Sequence, residues 1–426
     1  MLDSPTMSLR IARTAAVAAV FLLPACVVRL SDRNSPLPNG GVTGPAADCS
    51  QVQPLSKGAP GGEAKPKLVG RFDMTDPNRP RFDWSGNYVS ARFKGTEVTV
   101  GIEAPADVLF TAVVDDMPPL KFTAVPGRTG YLIAGEDGPL GKLDASKEHE
   151  ITLHRNTEAL FGPVTFTGFN FGPGGEILPP TVRPRRIEII GDSITCGYGN
   201  EGKNATCPFS VEVRPGTFVP ITENNYLAYG SIAGRTLDAD VVTVCWSGKG
   251  VVLNYREQDN DKDAKVTVPD LWLKRTLGSV GDEPPWDFAT EPQPQVVVIN
   301  LGTNDFSRDV DQNQIADGID LDRFRAGYAA FLEEVRKRRP DAHIFMALPP
   351  MITDQFPLDN ARSNARSILR GLAEERNAAG DPKVYFIELV EQGVRYGLGC
   401  DYHPNLEVHR IMAEQVVGAI RTKTCW

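Results

Sequence analysis

The stretch IEIIGDSITCGYGN, residues 187–200, joins an apolar run to a polar turn. Residues 187–190 are typical of a buried strand, which ends at Gly191-Asp192-Ser193. A Gly-Asp-Ser triplet alone predicts a helix cap, because aspartate and serine oxygens accept the free N–H groups of a first helical turn. Ser193 is also a candidate nucleophile. The two interpretations are compatible, since a helix N-terminus favours developing negative charge.

The chain after this stretch repeats the same rhythm. Further apolar runs at 241–245, 296–301, 343–348 and 384–389 predict buried strands, and helical patterns separate them at 226–237, 321–338, 361–377 and 408–420. Strand–helix alternation of this kind favours a parallel sheet with helices on both faces. Residues 181–426 are therefore predicted to form a three-layer α/β domain.

The chain before this stretch has a different pattern. Residues 66–180 consist of short alternating segments separated by turn residues, which predicts an all-β sandwich of the jelly-roll type. Residues 27–65 are rich in Pro, Gly, Ser and Ala and have almost no large apolar side chains. We expect them to form a flexible linker, since they cannot build a core.

The first residues resemble a secretory signal. A short basic region at 7–13 precedes an apolar run at 14–23, which is short for a membrane span, and Leu-Pro-Ala-Cys26 follows. Residues 1–26 are predicted to be a signal peptide, either of the lipoprotein type with Cys26 lipidated or of the ordinary cleaved type. The expected location is secreted or cell-envelope, as a membrane-anchored bacterial lipoprotein, because two or more acyl chains anchor a protein stably.

The cysteine count agrees with export. Six cysteines remain after Cys26: Cys49, Cys196, Cys207, Cys245, Cys400 and Cys425. Such a number is compatible with disulfides in an oxidising compartment, and it permits fifteen pairings. We expect Cys196 to pair with Cys207, which closes a short loop beside Ser193. We expect Cys400 to pair with Cys425, which leaves Cys245 as a candidate buried thiol in an apolar strand.

Composition narrows the function classes. The net charge of −9, with acidic and basic residues mixed along the chain, argues against a nucleic-acid-binding protein. The five histidines show no metal-ligand spacing, so neither a metal nor another cofactor is expected. We expect a monomer.

Candidate catalytic residues follow the predicted strands. Ligands of an open parallel sheet bind outside the carboxyl ends of its strands, where Ser193, Gly248, Asn304 and His403 stand. A serine needs a base such as a neutral histidine, and the oxyanion needs donors such as a serine N–H, a glycine N–H and an asparagine amide. Each residue alone has a structural interpretation. The four together, in this order, indicate acyl transfer.

The motifs GDSI, GTND and DYHP resemble those of the SGNH (GDSL-type) hydrolases. The longer stretches IEIIGDSITCGYGN, VVVINLGTNDFS and GCDYHPN resemble carbohydrate esterase family two, and the resemblance covers roughly residues 66–425. It implies a jelly-roll domain before a flavodoxin-like SGNH hydrolase domain, and a serine esterase that removes O-acetyl groups from polysaccharides or oligosaccharides through an acyl-enzyme. Ser193 would be the nucleophile, His403 the base, and the Ser193 N–H, Gly248 and Asn304 the oxyanion donors.

One position departs from that family. The acid that commonly stands three residues before the histidine is replaced by Cys400, and Asp401 stands only two residues before it. Three alternatives remain open for orienting His403: the Asp401 carboxylate, a backbone carbonyl just before the histidine, or a distant acid.

The substrate is less well defined by the sequence. Several aromatic residues on or near the predicted rim could stack on sugar rings, or could instead be core anchors: Trp246, Trp272, Trp286, Phe306 and Tyr402. The expected partner is an acetylated glycan. Two other functions are an SGNH esterase or lipase of broader acyl specificity and a non-catalytic carbohydrate-binding surface protein.

Overall fold

The computed structural model describes residues 41–50, 56–256, 265–279, 285–309, 311, 313, 315–393 and 395–426. The strands of these ranges are β1 (Ala59–Pro60), β2 (Lys67–Val69), β3 (Arg81–Phe82), β4 (Tyr88–Lys94), β5 (Val98–Glu103), β6 (Val108–Val114), β7 (Leu120–Ala124), β8 (Gly130–Ala134), β9 (His149–Arg155), β10 (Val164–Asn170), β11 (Glu176–Leu178), β12 (Thr181–Val182), β13 (Arg185–Gly191), β14 (Val211–Arg214), β15 (Thr217–Val219), β16 (Ala239–Cys245), β17 (Val296–Asn300), β18 (His343–Leu348) and β19 (Val384–Glu388).

The α-helices are α1 (Ser193–Cys196), α2 (Tyr229–Thr236), α3 (Val268–Lys274), α4 (Thr303–Phe306), α5 (Leu321–Arg338), α6 (Ala361–Ala378) and α7 (Leu406–Thr424). Short 3-10 helices occur at Ala159–Phe161, Asn225–Leu227 and Cys400–Tyr402. No helix within the described ranges is both long enough and apolar enough to cross a membrane.

The N-terminal part is a sandwich of two antiparallel sheets. One has the strand order β3-β10-β5-β8, and the other has the order β11-β4-β9-β6-β7, with β2 also paired to β4. Alternation in the sequence sets the faces: Val98, Val100 and Ile102 of β5 are buried, whereas the residues between them are half-buried. They pack in one apolar core with side chains of the opposite sheet such as Phe93 and Phe110. The predicted all-β domain is confirmed.

The C-terminal part contains a five-stranded parallel sheet. Its order is β16-β13-β17-β18-β19, the second, first, third, fourth and fifth strands of this sheet in chain order, which is the flavodoxin-like arrangement. The apolar run of the opening stretch lies in β13, at the point where the strand order reverses. Gly191 at its end is in register with Cys245 of β16 and Asn300 of β17. The carboxyl ends of three strands therefore meet beside Ser193.

Helices cover both faces of this sheet, as predicted. Ile190 belongs to the core that includes Phe324 of α5 and Leu369 of α6. Its neighbour Ile189 points to the other face, where it lies so close to Gly230 of α2 that a Cβ there would be 3.1 Å from it. Because successive residues of a strand point to opposite faces, the continuous apolar run reflects burial on both sides.

A buried charge network joins the two domains. Arg71, from the sandwich, donates to the carbonyl oxygens of Trp272 (2.8 Å) and Arg275 (2.9 Å). Its guanidinium also lies 3.8 Å from Glu188 of β13, to which Arg339 donates at 2.7 Å. Arg71, Glu188 and Arg339 are all fully buried. Glu291 also accepts from Arg339 (2.6 Å), so guanidinium and carboxylate groups are paired here, which is the arrangement in which buried ions are tolerated.

Part of the predicted linker is attached to the folded body. The N–H of Thr43 donates to the carbonyl of Phe386 (3.1 Å), and the Thr43 hydroxyl accepts from the Phe386 N–H (2.9 Å). A disulfide joins Cys49 to Cys425, and β1 pairs with β12. Backbone hydrogen bonds and a covalent link hold these residues without large apolar side chains, which is why composition did not reveal the attachment. Cys26 and the predicted signal peptide lie outside the described residues.

The expected disulfide pairs are wrong. The described disulfides are Cys49–Cys425, Cys196–Cys245 and Cys207–Cys400. Cys245 is not a free thiol, because its strand pairs in register with β13 and brings its Cα to 5.6 Å from that of Cys196. Sheet register, which the cysteine spacing does not contain, decides this pairing.

Candidate active site

The nucleophile turn is fixed by the sheet and by a helix cap. Asp192 is the N-cap of α1, and its carboxylate accepts from the N–H of Ile194 (3.1 Å). Ser193 is the first residue of this short helix and is 5% exposed. Its Oγ lies 2.9 Å from Nε2 of His403. Two residues 210 positions apart in the chain therefore form the hydrogen bond that a nucleophile and its base require.

The backbone carbonyl of Asp401 lies at the other ring nitrogen of His403. Nδ1 is 2.8 Å from this oxygen, which fixes the tautomer with the proton on Nδ1 and leaves Nε2 free to accept. Asp401 has φ 50° and Tyr402 has φ 59°, both in the left-handed region. Aspartate tolerates this region better than most side chains. The two consecutive left-handed residues turn the Asp401 carbonyl toward the imidazole.

The Asp401 carboxylate points elsewhere. It accepts a hydrogen bond from the hydroxyl of Tyr198 (3.0 Å) and does not contact the imidazole. The alternative in which this carboxylate is the triad acid therefore does not correspond to the geometry, whereas the carbonyl alternative does. Aspartate two residues before the histidine contributes through its backbone.

Tyr198 supports the histidine by stacking. Its ring lies 4.1 Å from that of His403 and 4.2 Å from that of Phe209, centroid to centroid. Burial, and then the charge of Asp401, raise the pKa of Tyr198 well above its ordinary value, so the phenol stays protonated as a donor. The sequence analysis missed this residue, although it lies in the opening stretch, because a tyrosine in a glycine-rich turn has many structural interpretations.

The histidine is tuned toward its neutral form. Burial lowers the pKa of His403, and the hydrogen bond to the Asp401 carbonyl opposes this without reversing it. A base whose pKa lies below 6.5 is unprotonated at neutral pH, which is the state that can accept the serine proton.

The histidine loop is pinned by the segment after the nucleophile. The N–H groups of Asp401 and Tyr402 donate to the carbonyls of Cys207 and Ala205, each at 3.1 Å, and the Cys207–Cys400 disulfide crosses the same contact. Gly199, at φ 59°, accepts from the N–H of Cys400 (3.0 Å). A Cβ at Gly199 would lie 2.9 Å from the Cys400 carbonyl oxygen, so only glycine allows this approach.

The predicted oxyanion residues occupy the two neighbouring turns. Gly248 has φ 77°, and a Cβ there would point into open space, so the requirement for glycine is conformational. The Asn304 amide nitrogen donates to the carbonyl of Lys249 (2.9 Å) and lies 3.5 Å from an Asp192 oxygen. Asn304 thus connects the second and third turns to the first.

Two buried carboxylates brace these turns. Asp305 accepts from the N–H groups of Val251, Val252 and Leu253 at 2.8–2.9 Å and so holds the loop after Gly248. Burial raises the pKa of Asp305 to about 6 and that of Asp192 to about 7. Asp305 belongs to the GTND motif, but the motif alone did not indicate that Asp305 holds the loop after Gly248.

The predicted sugar-stacking residues divide into three groups. Tyr402 is 58% exposed, and Trp246 is half-buried in the turn before Gly248. Phe306 and Trp272 are at most 1% exposed and belong to the core, so the expectation that Phe306 lines the rim is wrong. Trp286 stacks with Arg71 and borders a cavity of about 440 Å³ that contains none of the four predicted catalytic residues. It is not part of this site.

Metal ligands are not clustered in the parts of the chain that the structure describes. Within those ranges the histidines, cysteines and carboxylates form no group of three or more that could hold a metal ion.

Two family models match the chain on either side of residue 185. Residues 68–180 match the model described as carbohydrate esterase 2 N-terminal, and residues 189–411 match the GDSL-like lipase/acylhydrolase family. The boundary between the matches lies where the sandwich ends and β13 begins.

Known proteins with similar sequences and structures include carbohydrate esterases. The chain is 37% identical over 359 residues to the cellulase/esterase CelE of Acetivibrio thermocellus, covering 84% of this chain and only 39% of that relative. It is 26% identical to an acetylxylan esterase / glucomannan deacetylase of Cellvibrio japonicus, covering 89% and 93% of the two chains. A solved family two carbohydrate esterase from Clostridium thermocellum, in complex with cellohexaose, is 36% identical with a TM-score of 0.69, covering 84% and 98%.

Proposed function

This chain belongs to carbohydrate esterase family two, within the GDSL-like lipase/acylhydrolases, and we propose that it removes O-acetyl groups from polysaccharides or oligosaccharides through a serine acyl-enzyme. The observation that carries the proposal is the contact of Ser193 Oγ with His403 Nε2 at 2.9 Å, with Nδ1 held at 2.8 Å by the Asp401 carbonyl. Such a chain of contacts activates a hydroxyl nucleophile.

The chemistry follows from this geometry in two halves. Ser193 Oγ attacks the acetyl carbonyl while His403 Nε2 takes its proton, and the negative oxygen of the tetrahedral intermediate accepts from the Ser193 and Gly248 N–H groups and the Asn304 amide. His403 then returns the proton to the departing sugar oxygen. A water molecule, deprotonated by the same nitrogen, releases acetate and restores Ser193.

The group that orients His403 is a backbone carbonyl and not a carboxylate, which limits how well the site stabilises the imidazolium. The Asp401 carbonyl orients the imidazole and fixes its tautomer, but it carries only a partial negative charge with which to stabilise the imidazolium. The relatives' names indicate acetylated xylan and glucomannan as the substrate class, and Tyr402 and Trp246 are the aromatic surfaces available to a sugar ring.

The test uses the purified protein with acetylated xylan, acetylated glucomannan and an aryl acetate, with acetate release as the readout. Ser193→Ala is expected to lower the rate by about 10⁴-fold to 10⁶-fold. Activity that survives this substitution would overturn the mechanism. A series of acetyl, butyryl and longer aryl esters separates an acetyl esterase from one of broader acyl specificity, and glycan binding without hydrolysis would indicate a non-catalytic binding protein.

We also propose that the protein is exported and anchored through a lipid on Cys26. The support is the LPAC sequence at residues 23–26 together with three disulfides, which persist in oxidising compartments. In a bacterial host, the protein is expected in the membrane fraction, and Cys26→Ser is expected to release it. Wild-type protein found only in the soluble fraction would contradict the anchor.

A further inference from the structure

A carboxylate from the sandwich reaches the turn that carries Gly248. Glu158 stands just after β9, at the start of the 3-10 helix Ala159–Phe161, and is fully buried. It accepts a hydrogen bond from the N–H of Ser247 at 2.8 Å and a second, shorter one from the Ser247 hydroxyl. Ser247 directly precedes Gly248. The sandwich therefore contacts one of the catalytic turns through both donors of a single residue.

These two hydrogen bonds restrict the peptide that presents the oxyanion donor. The N–H of Gly248 belongs to the peptide between Ser247 and Gly248, and its direction depends on how Ser247 is held. On the other side, the N–H of Trp246 donates to the carbonyl of Gly191 (3.3 Å), next to the nucleophile turn. The turn is thus fixed to the sheet at one residue and to the sandwich at the next.

The buried surroundings of Glu158 favour its hydrogen bonds to Ser247. Glu223 lies beside it, fully buried, and its carboxyl group interacts with the side chain and the backbone of Glu158. Burial, and then the charge of Glu158, raise the pKa of Glu223 well above its ordinary value, so Glu223 carries a proton. Burial raises the pKa of Glu158 and the two Ser247 hydrogen bonds oppose this, so Ser247 cannot turn away without leaving buried acceptor oxygens short of donors.

We propose that Glu158 is a positioning residue for the oxyanion turn, so that the sandwich domain takes part in catalysis by holding Ser247 and, through it, the N–H of Gly248. This inference rests on the proposed esterase function. It gives the sandwich a role in the reaction itself that is separate from binding a glycan.

Asp83 offers a matched control in the same domain. It is also fully buried and accepts from a backbone N–H and the hydroxyl of one serine, Ser279, at 2.9 and 2.5 Å, and from the N–H of Gly278 at 2.9 Å. The contact is of the same kind, but the loop it holds carries none of the proposed catalytic groups. A purely structural role of such a carboxylate should appear equally in both positions.

The experiment compares Glu158→Gln with Asp83→Asn in the full chain, at equal folded fraction, on an aryl acetate. Glutamine offers one acceptor oxygen where the carboxylate offers two, so one Ser247 donor loses its partner. Loss of a whole oxyanion donor costs about 10²-fold to 10³-fold, and a displaced donor should cost less, so we expect kcat to fall about tenfold to hundredfold with KM nearly unchanged. Asp83→Asn is expected to lower Tm and leave kcat within about twofold.

A second pair of measurements isolates the route through Ser247. Ser247→Ala removes one of the two hydrogen bonds from the other side, and we expect it to lower kcat about fivefold and to add little to Glu158→Gln in the double variant. An arylboronic acid that forms a tetrahedral adduct on Ser193 should lose affinity in both variants.

Equal kcat in Glu158→Gln and the wild type, or additive effects of the two substitutions, would overturn the inference. If Glu158→Gln does not fold, Ser247→Ala and the boronate titration decide alone. Failure of the proposed function would look different, because wild-type protein would then release no acetate or Ser193→Ala would stay active. If the wild-type protein releases no acetate but still forms the boronate adduct on Ser193, the boronate titration reports on the turn, since it needs no turnover.

Discussion

The two halves of the catalytic pair are supported in opposite ways. Ser193 follows a strand in the interior of the sheet, in a helix whose four residues are all buried, and the sheet, the Asp192 cap and the Cys196–Cys245 disulfide hold it. His403 follows a loop in which Asp401 and Tyr402 are exposed and left-handed, and segments about two hundred residues away in sequence hold it. One half is built into the buried core, and the other is held on an exposed loop.

Substitutions on the two sides of the site should therefore affect catalysis in different ways. Substitutions around the nucleophile should act mainly through folding, because the same contacts build the sheet. Substitutions around the histidine should act mainly through kcat, because its loop adds little to the core yet must place one nitrogen within hydrogen-bond distance of Ser193 Oγ.

The largest expected effect is common to both halves. His403→Ala should lower kcat by about 10⁴-fold to 10⁶-fold, as Ser193→Ala does, because a nucleophile and its base act as one unit. The double variant should be no slower than either single variant, measured by acetate release. A double variant clearly slower than both would show that the two residues act separately, and the comparison would lose its basis.

The next effect tests the covalent support of the histidine loop. Replacing Cys207 and Cys400 together by serine should lower kcat by about tenfold to hundredfold, since small misplacements of a catalytic group can cost about 10²-fold. The matched control replaces Cys49 and Cys425, which should reduce the free energy of unfolding by about 2–5 kcal/mol and leave kcat unchanged. Equal kcat losses in the two double variants would show that the Cys207–Cys400 disulfide has no special role in positioning His403.

Tyr198 separates stacking from hydrogen bonding. Tyr198→Leu removes the ring that stacks on His403 and is expected to lower kcat about tenfold, on the scale of 1.4 kcal/mol for an aromatic contact. Tyr198→Phe keeps the ring and removes the hydroxyl that donates to Asp401, so it should cost less. A Phe variant as slow as the Leu variant would show that the hydroxyl, and not the ring, positions the histidine.

The pH dependence of activity distinguishes the two sides of the site, because each side has a titrating group. Activity requires neutral His403, so kcat/KM should be full above the lowered pKa of His403 and should fall with a midpoint below pH 6.5 as acid protonates it. On the nucleophile side, Asp192 has a pKa of about 7. An acid limb near pH 7 that moves in Asp192→Asn would assign the titration to the nucleophile half instead.

The smallest effect is expected at Asp401 itself. Asp401→Asn keeps a side chain that tolerates the left-handed region and keeps the carbonyl at His403 Nδ1, so we expect a loss of about threefold or less. A triad acid would lose about 10⁴-fold on the same change. Steady-state kinetics of this one variant therefore decide between carbonyl and carboxylate.

The features that the sequence predicted depend on patterns along the chain, and the features that it did not predict depend on contacts between distant segments. The strand–helix alternation, the sandwich and the candidates Ser193 and His403 follow from apolar patterns and from the rule that ligands bind at the carboxyl ends of strands. The disulfide pairs, the left-handed turn at Asp401 and the contact of Glu158 with Ser247 depend on sheet register and domain packing. No spacing along the chain specifies those.

The buried network of Arg71, Glu188 and Arg339 bears on how this protein can be engineered. The sandwich and the hydrolase domain match separate family models, so they could be treated as independent modules and exchanged between proteins. Here a hydrolase domain expressed alone would lose the guanidinium that neighbours Glu188 and caps two of its own carbonyls, and the indole of Trp84 would leave its core. Chimaeras should keep Arg71 and Trp84 together with the partner domain, because both side chains make buried contacts that cross the boundary at residue 180.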